Sequence, residues 1–99
     1  LKNKVSSLNK DTILHASCRK GSLDHVKWAL HDLKISVDLP NDKGNSALSV
    51  ACNMQYPCIM TELLNAGANP ELENIKGFTP LYGLCEGGNV KVAKLLVDI

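Results

Sequence analysis

Aromatic side chains are scarce in this chain: one Phe, one Trp and two Tyr among 99 residues. Aliphatic side chains therefore have to build the core. Nowhere does an apolar run approach the roughly 20 residues that a membrane helix requires, and no apolar segment behind a basic start resembles a signal peptide. Net charge is nearly absent too, at +1. Nucleic acid or an anionic membrane as the main partner would call for clustered Lys and Arg, and the total gives neither. The expectation is a soluble cytoplasmic or nuclear chain whose partner is neither nucleic acid nor membrane.

What is present is an ordinary globular mixture, 44% apolar and 21% charged, in a length that suits one small domain. The charge is unevenly spread. Leu1 to Lys34 holds seven basic and three acidic residues, giving +4, and Ile35 to Ile99 holds four and seven, giving −3. The sequence opens on Leu1 and stops at Ile99 inside a helical pattern, which predicts a piece of a longer protein.

A repeat organises the chain. The segments beginning at Thr12, Ser46 and Thr79 align without gaps at spacings of 34 and 33 residues. Thr12, Ser46 and Thr79 each offer a hydroxyl where a helix begins, able to cap exposed backbone N–H groups. Leu14, Leu48 and Leu81 follow two positions later, and Cys18, Cys52 and Cys85 four beyond those. Each segment reads as two short helices. The first ends near Arg19, Asn53 and Glu86, with Gly21 and the Gly87-Gly88 pair marking helix ends. The second carries an apolar stripe: Leu23, Val26, Ala29 and Leu30; Ile59, Met60, Leu63 and Leu64; Val90, Ala93, Leu96 and Val97. Pro57 fits a first helical turn, and the stretches from Asp42 and from Asn65 are rich in turn residues. Such a helix pair cannot bury both faces alone, so neighbours must stack.

The run Gly77-Phe78-Thr79-Pro80-Leu81-Tyr82, then Gly87 to Leu96, resembles the ankyrin-repeat signature, and Leu63 to Asn69 resembles its helix end and turn. The resemblance implies an all-α solenoid of three stacked helix-turn-helix units with short β-hairpin-like loops. Its boundaries are a leading segment 1–7 and repeats at 8–40, 41–73 and 74–99, the last truncated at its C-terminal side. The first two units depart from the pattern, with Ile13 and Ala47 in place of Pro, Lys10 and Gln55 in place of Gly, and Ser49 in place of His. Only His15 matches the family's His, which ties a helix start to the adjoining hairpin; Ser49 and Tyr82 stand at the other two such positions.

Reactive residues have plainer explanations. Cys18, Cys52 and Cys85 share one repeat position, where the family prefers a small buried residue. Packed helices lie about 8–10 Å apart, beyond the roughly 7 Å limit on Cα separation in a disulfide, so these are expected to be buried thiols. Cys52 and Cys58 have neither CxxC spacing nor a matching His pair, and neither a metal nor a cofactor is expected. His15 and Cys18, three apart on one helix, could form a thiol dyad only if Cys18 were exposed. His25 and His31 fall on a helix flank without ligand spacing. Trp28 is expected to be partly buried, and Gly87-Gly88 follows a helix and lacks the phosphate-loop pattern.

By resemblance, hairpin tips and the exposed edge of each first helix line a concave groove. That places Leu8, Asn9, Asp11, Arg19 and Lys20 on it in unit one; Asp42, Lys43, Asn45, Asn53 and Met54 in unit two; and Ile75, Lys76, Phe78 and Glu86 in unit three. Met54, Ile75 and Phe78 are apolar where stacking does not require it, the make-up of a contact patch, although single exposed apolar residues are also ordinary. Two functional readings stand. One is a non-enzymatic module that binds a protein or peptide in the groove. The other is a structural spacer or brace that packs against further domains of a larger multidomain parent chain, an enzyme among the options.

Overall fold

The computed structural model describes residues 12–87 and residue 94. The leading segment, the groove positions Leu8, Asn9 and Asp11, and the apolar stripe from Val90 to Val97 lie outside the described residues. Among the described residues five helices follow in order: α1 (Ile13–Lys20), α2 (Leu23–His31), α3 (Ala47–Met54), α4 (Pro57–Asn65) and α5 (Pro80–Gly87). No described residue belongs to a strand.

Two of the three expected hydroxyls, Thr12 and Ser46, cap their helices. Thr12 caps α1 by accepting from the His15 N–H, and His15 closes the reciprocal half of a capping box, its side chain accepting from the Thr12 N–H. Ser22 accepts from the His25 N–H at the start of α2, and Ser46 from the Ser49 N–H at the start of α3. Helix α4 has no side-chain cap, but Pro57 fills a first-turn position where no N–H is needed. The end of α1 is Gly21 in the left-handed conformation, φ 78°. Gln55 adopts the same conformation at the end of α3, φ 60°, so the second unit keeps the turn geometry while lacking its glycine.

Helices α1, α3 and α5 pack side by side as one layer, and α2 and α4 form the other, with α1 on α2 and α3 on α4. Between the layers Leu14, Leu48, Leu84, Val26, Ile59, Met60 and Leu63 are buried. Fully burying one such side chain contributes about 1.5–3 kcal/mol. The core is aliphatic, as the shortage of rings requires. Trp28, expected to be partly buried, is instead exposed, with 42% of its surface open.

The cysteine expectation holds for two of its three positions. Cys18 and Cys52 are completely buried, whereas Cys85 is exposed. Helix α3 has a first-layer helix packed on each side, and α5 has one on its α3 side among the described residues.

The hairpin-like loops are tight turns organised by an asparagine at one repeat position. The side-chain oxygen of Asn41 accepts from the backbone N–H groups of Lys43 and Asn45, each at 3.0 Å. That of Asn74 accepts from Lys76 at 2.9 Å and Phe78 at 3.1 Å. Two backbone bonds close each turn: Asn41 N–H to Asn45 O with Gly44 N–H to Asn41 O, and Asn74 N–H to Phe78 O with Gly77 N–H to Asn74 O. The two turns are then joined by the Ile75 N–H donating to the Lys43 carbonyl at 3.0 Å. Gly44 permits this approach, because a Cβ on it would lie 2.9 Å from the Ile75 nitrogen.

Candidate functional site

The groove begins with a bond that unit one makes and unit two does not. His15 is buried, and its Nε2–H donates to the Asn45 carbonyl at 2.8 Å, tying α1 to the hairpin of the next unit. Its Nδ1 accepts from the Thr12 N–H at 3.1 Å, which fixes the neutral tautomer with the proton on Nε2. Burial pushes the His15 pKa below its ordinary 6.5, against the opposing pull of the Asn45 and Leu39 carbonyls.

At the equivalent position of α3 stands Ser49, whose side chain is too short to span the same gap, and no hydrogen bond joins it to the third unit's hairpin. A cleft of about 430 Å³ opens there. Ser49 and Asn53 of α3 line one side, and Thr79, Tyr82 and Gly83 at the start of α5 line the other. The two hairpins contribute Lys43 and Asn45, and Asn74, Ile75, Lys76 and Phe78. Gly83 matters to its shape, since a Cβ there would run into the Asn53 carboxamide. Asn74 Nδ2 donates to Asn45 Oδ1 at 3.1 Å, holding the hairpin sides together.

One wall is aromatic. The rings of Phe78 and Tyr82 stack with centroids 4.1 Å apart and planes 10° from parallel. Both remain exposed, Phe78 by 38% and Tyr82 by 44%, so the pair presents a rigid apolar surface to whatever enters. Ile75, 74% exposed, extends it.

Of the groove residues expected from the sequence, Lys43, Asn45, Asn53, Ile75, Lys76 and Phe78 converge on this cleft. Arg19, Lys20, Asp42 and Met54 are exposed but stand outside its lining. The Glu86 side chain lies outside the described residues. Ser49, Asn74, Thr79, Tyr82 and Gly83 complete the lining without having been expected there. Ser49 and Tyr82 carried a signal, as departures at the family's His position, and that signal reads as a lost bond until the space it leaves is seen.

A thiol dyad is ruled out. Cys18 is fully buried, and burial raises its pKa to about 12, with neighbouring Cys52 adding to the shift. The proton stays on sulfur at neutral pH. Cys52 is likewise pushed up to about 12 by burial. His25 is exposed, and exposed His31 pairs with Glu62 at 2.9 Å across α2 and α4. Among the described residues, no three His, Cys, Asp or Glu side chains are grouped so as to hold a metal. No helix among them is long and apolar enough to cross a membrane.

A family model described as ankyrin repeats (three copies) matches residues 1–74. The ankyrin repeat and KH domain-containing protein mask-1 of Caenorhabditis elegans is 34% identical over 89 residues, 90% of this chain and 3% of that protein. The ankyrin repeat and SOCS box protein 16 of Mus musculus is 32% identical over 94 residues, covering 87% and 20%. The glycerophosphocholine phosphodiesterase GDE1 of Eremothecium gossypii is 31% identical over 98 residues, covering 97% and 7%. The chain thus spans a fifth or less of each of these relatives, several of them multidomain proteins. With its 33-residue period, layered helix pairs, capped hairpins and this match over most of its length, the chain belongs to the ankyrin-repeat family.

Proposed function

We propose that this chain is a non-enzymatic recognition module that binds a protein or peptide segment in the groove between its hairpins and first-layer helices. Ankyrin repeats in general serve as protein-interaction modules and not as catalysts. The observation that carries the reading is the stacked Phe78–Tyr82 pair, exposed at the wall of a cleft that opens where α3 lacks its imidazole bridge. Two aromatic rings left against water are costly unless a partner covers them.

Rigidity supports the same reading. The hairpins are locked by Asn41 and Asn74 and to each other through Ile75, so a partner meets a surface already in its bound shape. Met54 serves as a second apolar contact along the strip, and Arg19, Lys20 and Asp42 bias charge at its margins. A chain acting only as a spacer has no use for an exposed aromatic wall beside a cleft.

The test is selection of displayed random dodecapeptides on the 99-residue chain, with affinities measured for the enriched sequences. Phe78→Ala should weaken them by about 1 kcal/mol or more while leaving the helical spectrum and unfolding midpoint near those of the parent. Enriched peptides indifferent to Phe78→Ala, or no enrichment at all, would remove the groove as the site.

A further inference from the structure

We infer that the cleft between the second and third repeats takes an acidic peptide segment, one that seats an apolar side chain against Phe78 and Tyr82 and sets carboxylates beside Lys43 and Lys76. This rests on the groove reading above and names the chemistry of its partner.

Charge comes first. Among the described residues, Lys43 and Lys76 are the only charged ones in the cleft lining. They occupy the same repeat position, 33 residues apart, on neighbouring hairpins that the Ile75 N–H to Lys43 O bond holds side by side. Two like charges on adjoining hairpins at one cleft favour an anionic partner there. The acidic residues of the same loops are turned elsewhere. Asp38 and Glu73 line a separate recess with Pro40, Gly44 and Leu72, and neither contributes to the cleft. Asp42, beside Lys43 at the first hairpin tip, lines neither space, so the charge of the cleft lining itself is cationic.

The neutral lining narrows the partner further. Asn53 and Asn74 carry amide N–H groups, and Ser49 and Thr79 hydroxyls, all able to donate to a carboxylate or a peptide carbonyl. Against them stands the stacked aromatic pair, whose faces suit a large apolar side chain. The cleft's size, about 430 Å³, accommodates one such side chain with a short stretch of its backbone. Between the first and second units the His15 imidazole spans the corresponding gap to Asn45.

The peptides selected above supply the probe, and three variants of the 99-residue chain read it. Ser49→His refills the cleft with the side chain that unit one carries there. Lys43→Glu and Lys76→Glu reverse charge at exposed positions and leave the core untouched. The inference expects enriched peptides that are rich in Asp and Glu around one large apolar residue. Their affinity should fall about tenfold or more with Ser49→His and with each charge reversal, and weaken steeply as salt rises. Peptides that lose affinity with Phe78→Ala and Ser49→His yet carry no acidic bias, and ignore the Lys reversals, overturn the chemistry while leaving the groove as the site. Peptides indifferent to both Phe78→Ala and Ser49→His overturn the groove itself. A labelled single-stranded oligonucleotide that binds more tightly than the peptides, and loses that binding in the same Lys variants, overturns the acidic peptide in favour of nucleic acid.

Discussion

The Nε2 of His15 lies 2.8 Å from the main-chain oxygen of Asn45, thirty residues further along the chain, and this single bond connects the first repeat's inner helix to the second repeat's hairpin. The other ring nitrogen is engaged by Thr12, so one buried imidazole closes both a helix cap and an inter-repeat contact. Removing it leaves a cavity, an open cap and an Asn45 carbonyl that keeps only its hairpin bond from the Asn41 N–H. His15→Ala should destabilise the chain by about 2–4 kcal/mol, and Thr12→Ala, which loses only the cap, by about 1 kcal/mol. Denaturant midpoints measured on the two variants check the order, and equal losses would contradict the bridging role.

The same residue sets a pH dependence. Its folded pKa lies below the unfolded value near 6.5, so the unfolded chain binds the proton more readily. This contribution to stability is fully present above pH 6.5 and is lost progressively as pH falls through 6.5 toward the folded pKa. The stability difference between the parent chain and His15→Gln, measured by urea unfolding, should therefore shrink between about pH 7.5 and pH 5.5. A difference constant over that window would show that His15 is not held neutral by the fold.

Ser49→His transplants the bridge into the second unit. If the gap at Ser49 is the one that His15 fills in the first, the new imidazole reaches the Phe78 carbonyl and adds a buried hydrogen bond worth about 0.5–1.5 kcal/mol. Thermal unfolding should rise by about 4–8 °C per kcal/mol gained. A fall in the midpoint would mean that Tyr82 or Asn53 already occupies the space.

Gly83 sits inside α5, where alanine would ordinarily stabilise by about 1 kcal/mol. A Cβ there meets the Asn53 carboxamide, the far end of an exposed side chain that can turn away. Gly83→Ala should thus be neutral to mildly stabilising while displacing Asn53. Denaturant unfolding and the Asn53 side-chain amide resonances report the two effects separately, and a loss above about 1 kcal/mol would show that Asn53 is held fast.

The four cysteines should divide by burial. Cys58 and Cys85 are exposed, whereas Cys18 and Cys52 are buried with pKa values pushed up to about 12. A thiol reagent at neutral pH should label two cysteines in the native chain and all four in denaturant. Rapid native labelling of Cys18 would show that the α1–α3 seam opens readily.

The architecture was legible in the sequence because it rests on local rules. Hydroxyls at Thr12 and Ser46 cap helices through bonds three residues long, and the stripes at Val26 and Met60 follow from the helical period. Repetition at 33 and 34 residues then multiplies one set of local preferences into a stack. The hairpin positions of the groove, Lys43, Asn45, Ile75, Lys76 and Phe78, were expected from the resemblance to the ankyrin repeat and not from any local rule.

What only the tertiary structure decided is the space between units. Whether Cys85 is covered depends on a neighbouring helix, which no property of its own segment records. Likewise Ser49, Tyr82 and Gly83 are unremarkable in their own helices, and the cleft exists because α3 and α5 set a short side chain, a missing Cβ and an outward-stacked ring around one gap. Sequence alone determined the repeating unit, since caps and periodicity act within a few residues. Concave volume is a relation among residues some thirty positions apart, and packing one repeat against the next is what creates it.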